Sequence, residues 1–169
     1  MKFFENAKYR VLPFEEYRPF SDLNITPVDI PGEKRKTLMG RAKQAAGKEI
    51  PVLPASLYRE FSINGNRTNF QTPYFERRER LITLSLGELY EGKGNYIAGI
   101  IDLIWAICEE TSWVIPAHNV AKDHSLLSKP LPDVFDDHIV SIDLFSAATG
   151  ATLAWVLYLI GDKIDTEIP

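Results

Sequence analysis

All three histidines of the chain, His118, His124 and His138, fall between residues 111 and 138. Asp123, Asp133, Asp136 and Asp137 lie in the same stretch. An imidazole transfers protons near neutral pH, and a neighbouring amide can hold a carboxylate. His118 and Asn119 are therefore the candidate catalytic pair and candidate substrate contacts. Trp113, just upstream, offers a flat apolar face of the kind on which a sugar ring stacks. The plainer alternative, which carries more weight, makes Trp113 a core anchor and His118 and Asn119 hydrogen-bonding loop residues.

Other chemistry is less well supported by residue type and spacing. His124, His138 and the nearby aspartates fit no zinc spacing and lack the regular oxygen-ligand pattern of a calcium loop, so no metal and no other cofactor is expected. Adjacent residues on a helix point about a quarter-turn apart, so one of Glu109 and Glu110 should face solvent. Gly87, Gly92, Gly94 and Gly99 follow no strand and match no phosphate loop; they read as close packing and helix termination. Cys108 is the only cysteine and sits in an apolar helical pattern, where a thiol is expected to be buried and inert.

The elements that must position these residues read as helices. Glu33 to Ala46 is rich in helix formers and stops before Gly47, with Leu38, Met39 and Ala42 on one side. A second helix starts near Pro54, carries Leu57, Tyr58 and Phe61, and ends at Asn64-Gly65. A third is expected from Thr72 and Pro73 to Glu91. Its predicted inner stripe is Phe75, Leu81 or Ile82, Leu86 and Leu89, and Arg77, Arg78, Glu79 and Arg80 form a solvated outer turn. The fourth opens near Asn95 and carries Ile97, Ile100, Ile101, Ile104, Trp105 and Cys108 at helical spacing, with Leu103 and Ile107 widening the apolar stripe, a pattern that predicts deep burial. The fifth runs from about Ser141 to Ile160, apolar nearly all round, and needs neighbours on several sides.

No alternating pattern with strand-like bounds appears, so the predicted fold class is all-α, built of antiparallel helix hairpins. The segment from Thr111 to Asp137 is far longer than the usual connection of roughly four to six residues, and such loops often carry function. Residues 1–31 read as a separate unit, with Pro13, Pro19, Pro27 and Pro31 among Phe3, Phe4, Tyr9, Phe14, Tyr17 and Phe20. They predict an extended arm packed on a helical domain spanning 32–169.

With 45% hydrophobic residues in 169, the chain can bury a substantial core. A net charge of -4 without a basic stripe argues against nucleic acid as a partner. One cysteine allows no internal disulfide. The start Met1-Lys2-Phe3-Phe4-Glu5 shows no signal peptide, which predicts a cytoplasmic product. Leu144 to Ile160 is uncharged but broken by Ser146, Thr149, Gly150 and Thr152, and is expected to be a buried helix and not a membrane span.

Several segments carry a resemblance: Pro54-Ala55-Ser56-Leu57-Tyr58-Arg59-Glu60-Phe61, Gly65-Asn66-Arg67, Tyr74-Phe75-Glu76-Arg77-Arg78, the run from Trp105 through Cys108-Glu109-Glu110-Thr111-Ser112-Trp113 to Ala117-His118-Asn119, and Ile142 to Ala151. Together they resemble the heparinase II/III family over roughly residues 50 to 165. The resemblance implies an (α/α) toroid, followed in full-length members by β-rich domains, that cleaves acidic polysaccharides by β-elimination. A base removes the proton beside the uronate carboxylate, a neutraliser stabilises the enolate-like charge, and an acid protonates the leaving oxygen. Family members draw most of these groups from later toroid helices and the β domains. The chain is accordingly expected to be an incomplete toroid short of full lyase activity, with Trp113, His118 and Asn119 lining the sugar cleft and an acidic polysaccharide as partner. Uncovered apolar helix faces would favour homo-oligomers. A non-enzymatic helical interaction or dimerisation module is the competing expectation.

Overall fold

The computed structural model describes residues 29–119 and 143–165. Among these residues the protein is all-α, with five helices and no strand: α1 (Gly32–Ala46), α2 (Ala55–Asn64), α3 (Thr68–Glu91), α4 (Ile97–Cys108) and α5 (Leu144–Ile160). Single 3-10 turns occur at Pro116–His118 and Gly161–Lys163. The predicted arm, apart from Asp29, Ile30 and Pro31, lies outside the described residues. So do His124, His138, Asp123, Asp133, Asp136 and Asp137.

α3 is the hub, with α1, α4 and α5 packed on it. The main core joins Ala42 and Ala45 of α1, Leu81 and Leu84 of α3, Ile100, Leu103 and Ile107 of α4, and Val156 and Ile160 of α5. The α4 contributors recur every three to four residues and so form one stripe. A second cluster, Phe70, Tyr74 and Ile115, is flanked by Leu57 and Tyr58 of α2 and by Phe145 of α5. It gathers α2, the segment after α4 and the start of α5 around the N-terminal half of α3.

The α3–α4 hairpin turns through Gly92 and Gly94, both at positive φ (69° and 79°), where a side chain would be strained. Glu88, fully buried, accepts from the Gly94 N–H at 2.9 Å and pairs with Lys163 at 3.3 Å. One carboxylate thus ties the turn to the segment following α5.

α1 and α3 approach closely at Gly87, where an added Cβ would lie 2.7 Å from the Ala42 Cβ and 3.3 Å from the Tyr96 ring. A Cβ cannot rotate out of the way, so the two helices would have to part. We expect Gly87→Val to destabilise the protein by about 1–3 kcal/mol through overpacking. Urea denaturation checks this; an unchanged midpoint would mean α1 is free to shift.

Several sequence expectations need correction. α3 starts at Thr68, and Pro73 lies inside it. Asn66, and not Thr72, serves its first turn, its Oδ1 accepting from the Asn69 N–H at 3.1 Å, and the longer helix buries Phe70. Phe75 and Ile82, placed in the inner stripe, are 38% and 44% exposed. Arg77, Arg78 and Arg80, placed in solvent, are buried, because carbonyls and a carboxylate wait for them inside. Cys108 is exposed, since the buried stripe of α4 runs through Ile100, Leu103 and Ile107 and leaves Cys108 and Trp105 on other faces.

α5 is not enclosed. It buries Thr149, Val156 and Ile160, while Leu144 is 69% and Leu157 52% exposed. Residues Leu144–Lys163 are long and apolar enough to cross a membrane by length and composition, and 17% of that window is buried. The side that meets α3 is one stripe of a helix that carries no charged residue.

Candidate functional site

The site grows from the arginines of α3. Arg78 donates to both oxygens of Glu110, at 3.1 and 2.7 Å, and Arg77 donates to one of them at 3.1 Å. The Glu110 side chain is only 5% exposed, whereas Glu109 faces solvent as one of the pair was expected to. Further donors are used as well: Arg77 reaches the Pro51 and Ala106 carbonyls, and Arg78 reaches Thr149 and the Tyr74 carbonyl. The Arg78 guanidinium also lies 3.4 Å above the Tyr74 ring, a cation–π contact. A buried charge without such partners would be costly.

This network fixes the chain that follows α4. The Tyr74 hydroxyl donates to the Trp113 carbonyl at 2.8 Å, which leaves the Thr149 hydroxyl to donate to Tyr74 across 3.2 Å. Burial raises the Tyr74 hydroxyl above the ordinary tyrosine value, so it stays a donor. The Trp113 indole N–H donates to the Ile107 carbonyl at 2.8 Å, and its ring packs against the main core. That is the anchoring role weighed for Trp113 in the sequence. Ile115 drops into the second cluster, and Pro116 opens a 3-10 turn that closes with the His118 N–H on the Ile115 carbonyl.

The turn delivers His118 to the start of α5. Its Nδ1 lies 2.6 Å from Asp143 Oδ2, and its ring stacks on Phe145 with centroids 5.0 Å apart. Asp143 is also the N-cap of α5, its Oδ1 accepting from the Phe145 and Ser146 amides, each at 2.9 Å. The Asn119 side chain lies near that of Tyr58, whose hydroxyl donates to the Val114 carbonyl at 3.1 Å. Burial pushes the Tyr58 hydroxyl above its usual range; the neighbouring Asn119 side chain opposes this and the Asp143 charge adds to it.

The structure therefore brings His118 and Asn119 together with two residues to which the sequence assigned no role, Tyr58 and Asp143. The imidazole can exchange a proton, the Asn119 amide can donate to an oxyanion, and the phenol is a protonated donor at neutral pH. Among the described residues no group of three histidine, cysteine or acidic side chains could hold a metal ion. A signal for Asp143 was present: an aspartate immediately before an uncharged apolar run is a helix N-cap pattern.

Burial alone would raise Asp143, but hydrogen bonds from His118 and from the Ser146 and Phe145 amides, with the His118 charge, hold its carboxyl below the usual carboxylate range. A depressed folded-state value contributes stability above the unfolded carboxylate value, about pH 4, and loses it as pH falls through the folded value. We expect urea midpoints to decline through that acid window, and Asp143→Asn to flatten this part of the decline. Identical acid limbs in the two proteins would contradict it.

No protein-family model matches the sequence, and no curated protein matches it.

Proposed function

We propose that the chain is the N-terminal part of an (α/α) toroid resembling those of heparinase II/III-type lyases, and that Tyr58, His118, Asn119 and Asp143 line its cleft for an acidic polysaccharide. The observation that carries this reading is a histidine held by a carboxylate beside an amide and a phenol. In β-elimination, His118 Nε2 would take the proton beside the uronate carboxylate. The electron pair left behind forms the new double bond as the bond to the leaving glycosidic oxygen breaks. Asn119 would donate to the carboxylate as negative charge builds on it, and a protonated side chain such as Tyr58, its hydroxyl turning from the Val114 carbonyl, would supply the proton to the departing oxygen.

One amide is modest neutralisation for an enolate-like dianion, so the chain is expected to fall short of a complete lyase. Incubation with a panel of uronic-acid polysaccharides, followed by ultraviolet absorbance, tests the reading because elimination leaves a conjugated double bond. Slow absorbance growth on one member supports it. Flat traces together with no calorimetric binding of any member contradict it.

The exposed apolar residues of α5 favour a second reading, a helical module that associates through that face. Sedimentation of a strictly monomeric protein over a wide concentration range would remove it.

A further inference from the structure

We infer that Asp143 is a positioning residue that sets the tautomer of His118, keeping the proton on Nδ1 and the lone pair on Nε2. The inference deepens the site reading above and rests on it for its functional consequence, but its physical content stands on geometry alone.

The two oxygens of Asp143 have separate tasks. Oδ1 accepts two backbone N–H groups of the first turn of α5, and the Ser146 hydroxyl at 3.3 Å. It must therefore be an acceptor whatever else happens in the site. Oδ2 faces His118 Nδ1 at 2.6 Å, a distance for a charge-assisted hydrogen bond in which the ring nitrogen donates. Phe145, stacked on the imidazole, limits rotation of the ring about that bond. The Asp143 side chain is 12% exposed and that of His118 37% exposed, so water competes little for the carboxylate while the imidazole remains reachable. No hydrogen bond to Nε2 occurs among the described residues. A neutral His118 is thereby presented as a base whose acceptor nitrogen is Nε2.

This division of labour makes Asp143→Asn an unusually clean test. Asparagine caps helices about as well as aspartate. The Phe145 and Ser146 amides require its carbonyl oxygen at the Oδ1 place, which forces the amide NH2 to the Oδ2 place. It cannot flip without losing the cap. An NH2 group donates to Nδ1 and so drives the proton to Nε2, the tautomer that cannot accept a proton from substrate. In a catalytic triad the equivalent exchange leaves the geometry intact and lowers turnover about 10⁴-fold through the wrong tautomer.

The experiment is long-range ¹⁵N–¹H correlation of the histidine rings at a pH where they are neutral, in the wild-type chain and in Asp143→Asn. His118 is assigned by its loss in His118→Gln. The expected result is a protonated Nδ1 and an unprotonated Nε2 in the wild type, exchanged in Asp143→Asn, with helix content unchanged by circular dichroism. A wild-type His118 protonated at Nε2, or a tautomer indifferent to the substitution in a folded variant, overturns the inference. Asp143→Ser, which keeps a cap but offers Nδ1 no carboxylate, should give a mixture of tautomers. If the wild type eliminates a uronic-acid polysaccharide, Asp143→Asn should slow it by about 10²- to 10⁴-fold. A tautomer exchange in a chain with neither turnover nor glycan binding supports the positioning role and removes the lyase reading instead.

Discussion

Glu110→Ala is expected to destabilise the protein by about 3–5 kcal/mol, among the largest effects available to a single substitution in the described residues. The Arg77 and Arg78 side chains are only 10% and 9% exposed, and Glu110 is the carboxylate paired with both. Removing it leaves two guanidinium groups desolvated with carbonyl and hydroxyl partners but no counter-charge, and breaking a buried pair from one side costs far more than the pair contributes. For a chain of this size that is a fall in Tm of roughly 10 °C. Because Glu110 begins the segment that leads to His118, the loss should also loosen the site. Thermal and urea unfolding measure the stability, and a change under about 1 kcal/mol would show that water reaches the arginines. Glu110→Met combined with apolar replacement of Arg78 should recover part of the loss, since the unpaired charge, and not the missing bond, dominates the cost.

The second large effect is functional. His118→Gln is expected to lower any elimination rate by about 10²- to 10⁴-fold, the usual contribution of a positioned general base. Tm should change little, because the imidazole is 37% exposed and glutamine can still donate to Asp143. Rates from product absorbance and Tm from circular dichroism separate the two. A variant that keeps its rate would assign the chemistry elsewhere, and one that unfolds would make His118 a structural clip.

Sequence periodicity located the five helices of the described residues, and the stops at Gly47, Gly65 and Gly92 follow from glycine punctuation. Faces were harder. A run such as Arg77-Arg78-Glu79-Arg80 reads as solvated because free charges prefer water, yet three of its four members are buried. What reverses the preference is an acceptor set distant in sequence: Glu110, and the Ala45, Lys48 and Glu49 carbonyls that receive Arg80 at the end of α1. No local pattern contains that information. Phe75 illustrates the same limit from the apolar side, since helical spacing admits both it and Tyr74, and only the Tyr74 hydroxyl has partners inside.

In the site, residue chemistry pointed to His118 and Asn119, but their partners lie far along the chain. Asp143 is 25 residues from His118, and Tyr58 reaches Val114 across 56. Trp113 offered both an anchor and a sugar platform. Its indole bond to Ile107 fixes it as part of the wall that holds the segment, with the polar groups presented further on.

The glycan-binding patch proposed for Tyr58, His118, Asn119 and Asp143 can be probed by titrating isotope-labelled protein with uronic-acid oligosaccharides and following amide and imidazole resonances. Saturable shifts are expected at these four residues and at Phe145, with α1 and the C-terminal half of α5 unmoved. Saturable shifts confined to the exposed face of α5, or none at any of the four residues, would contradict it.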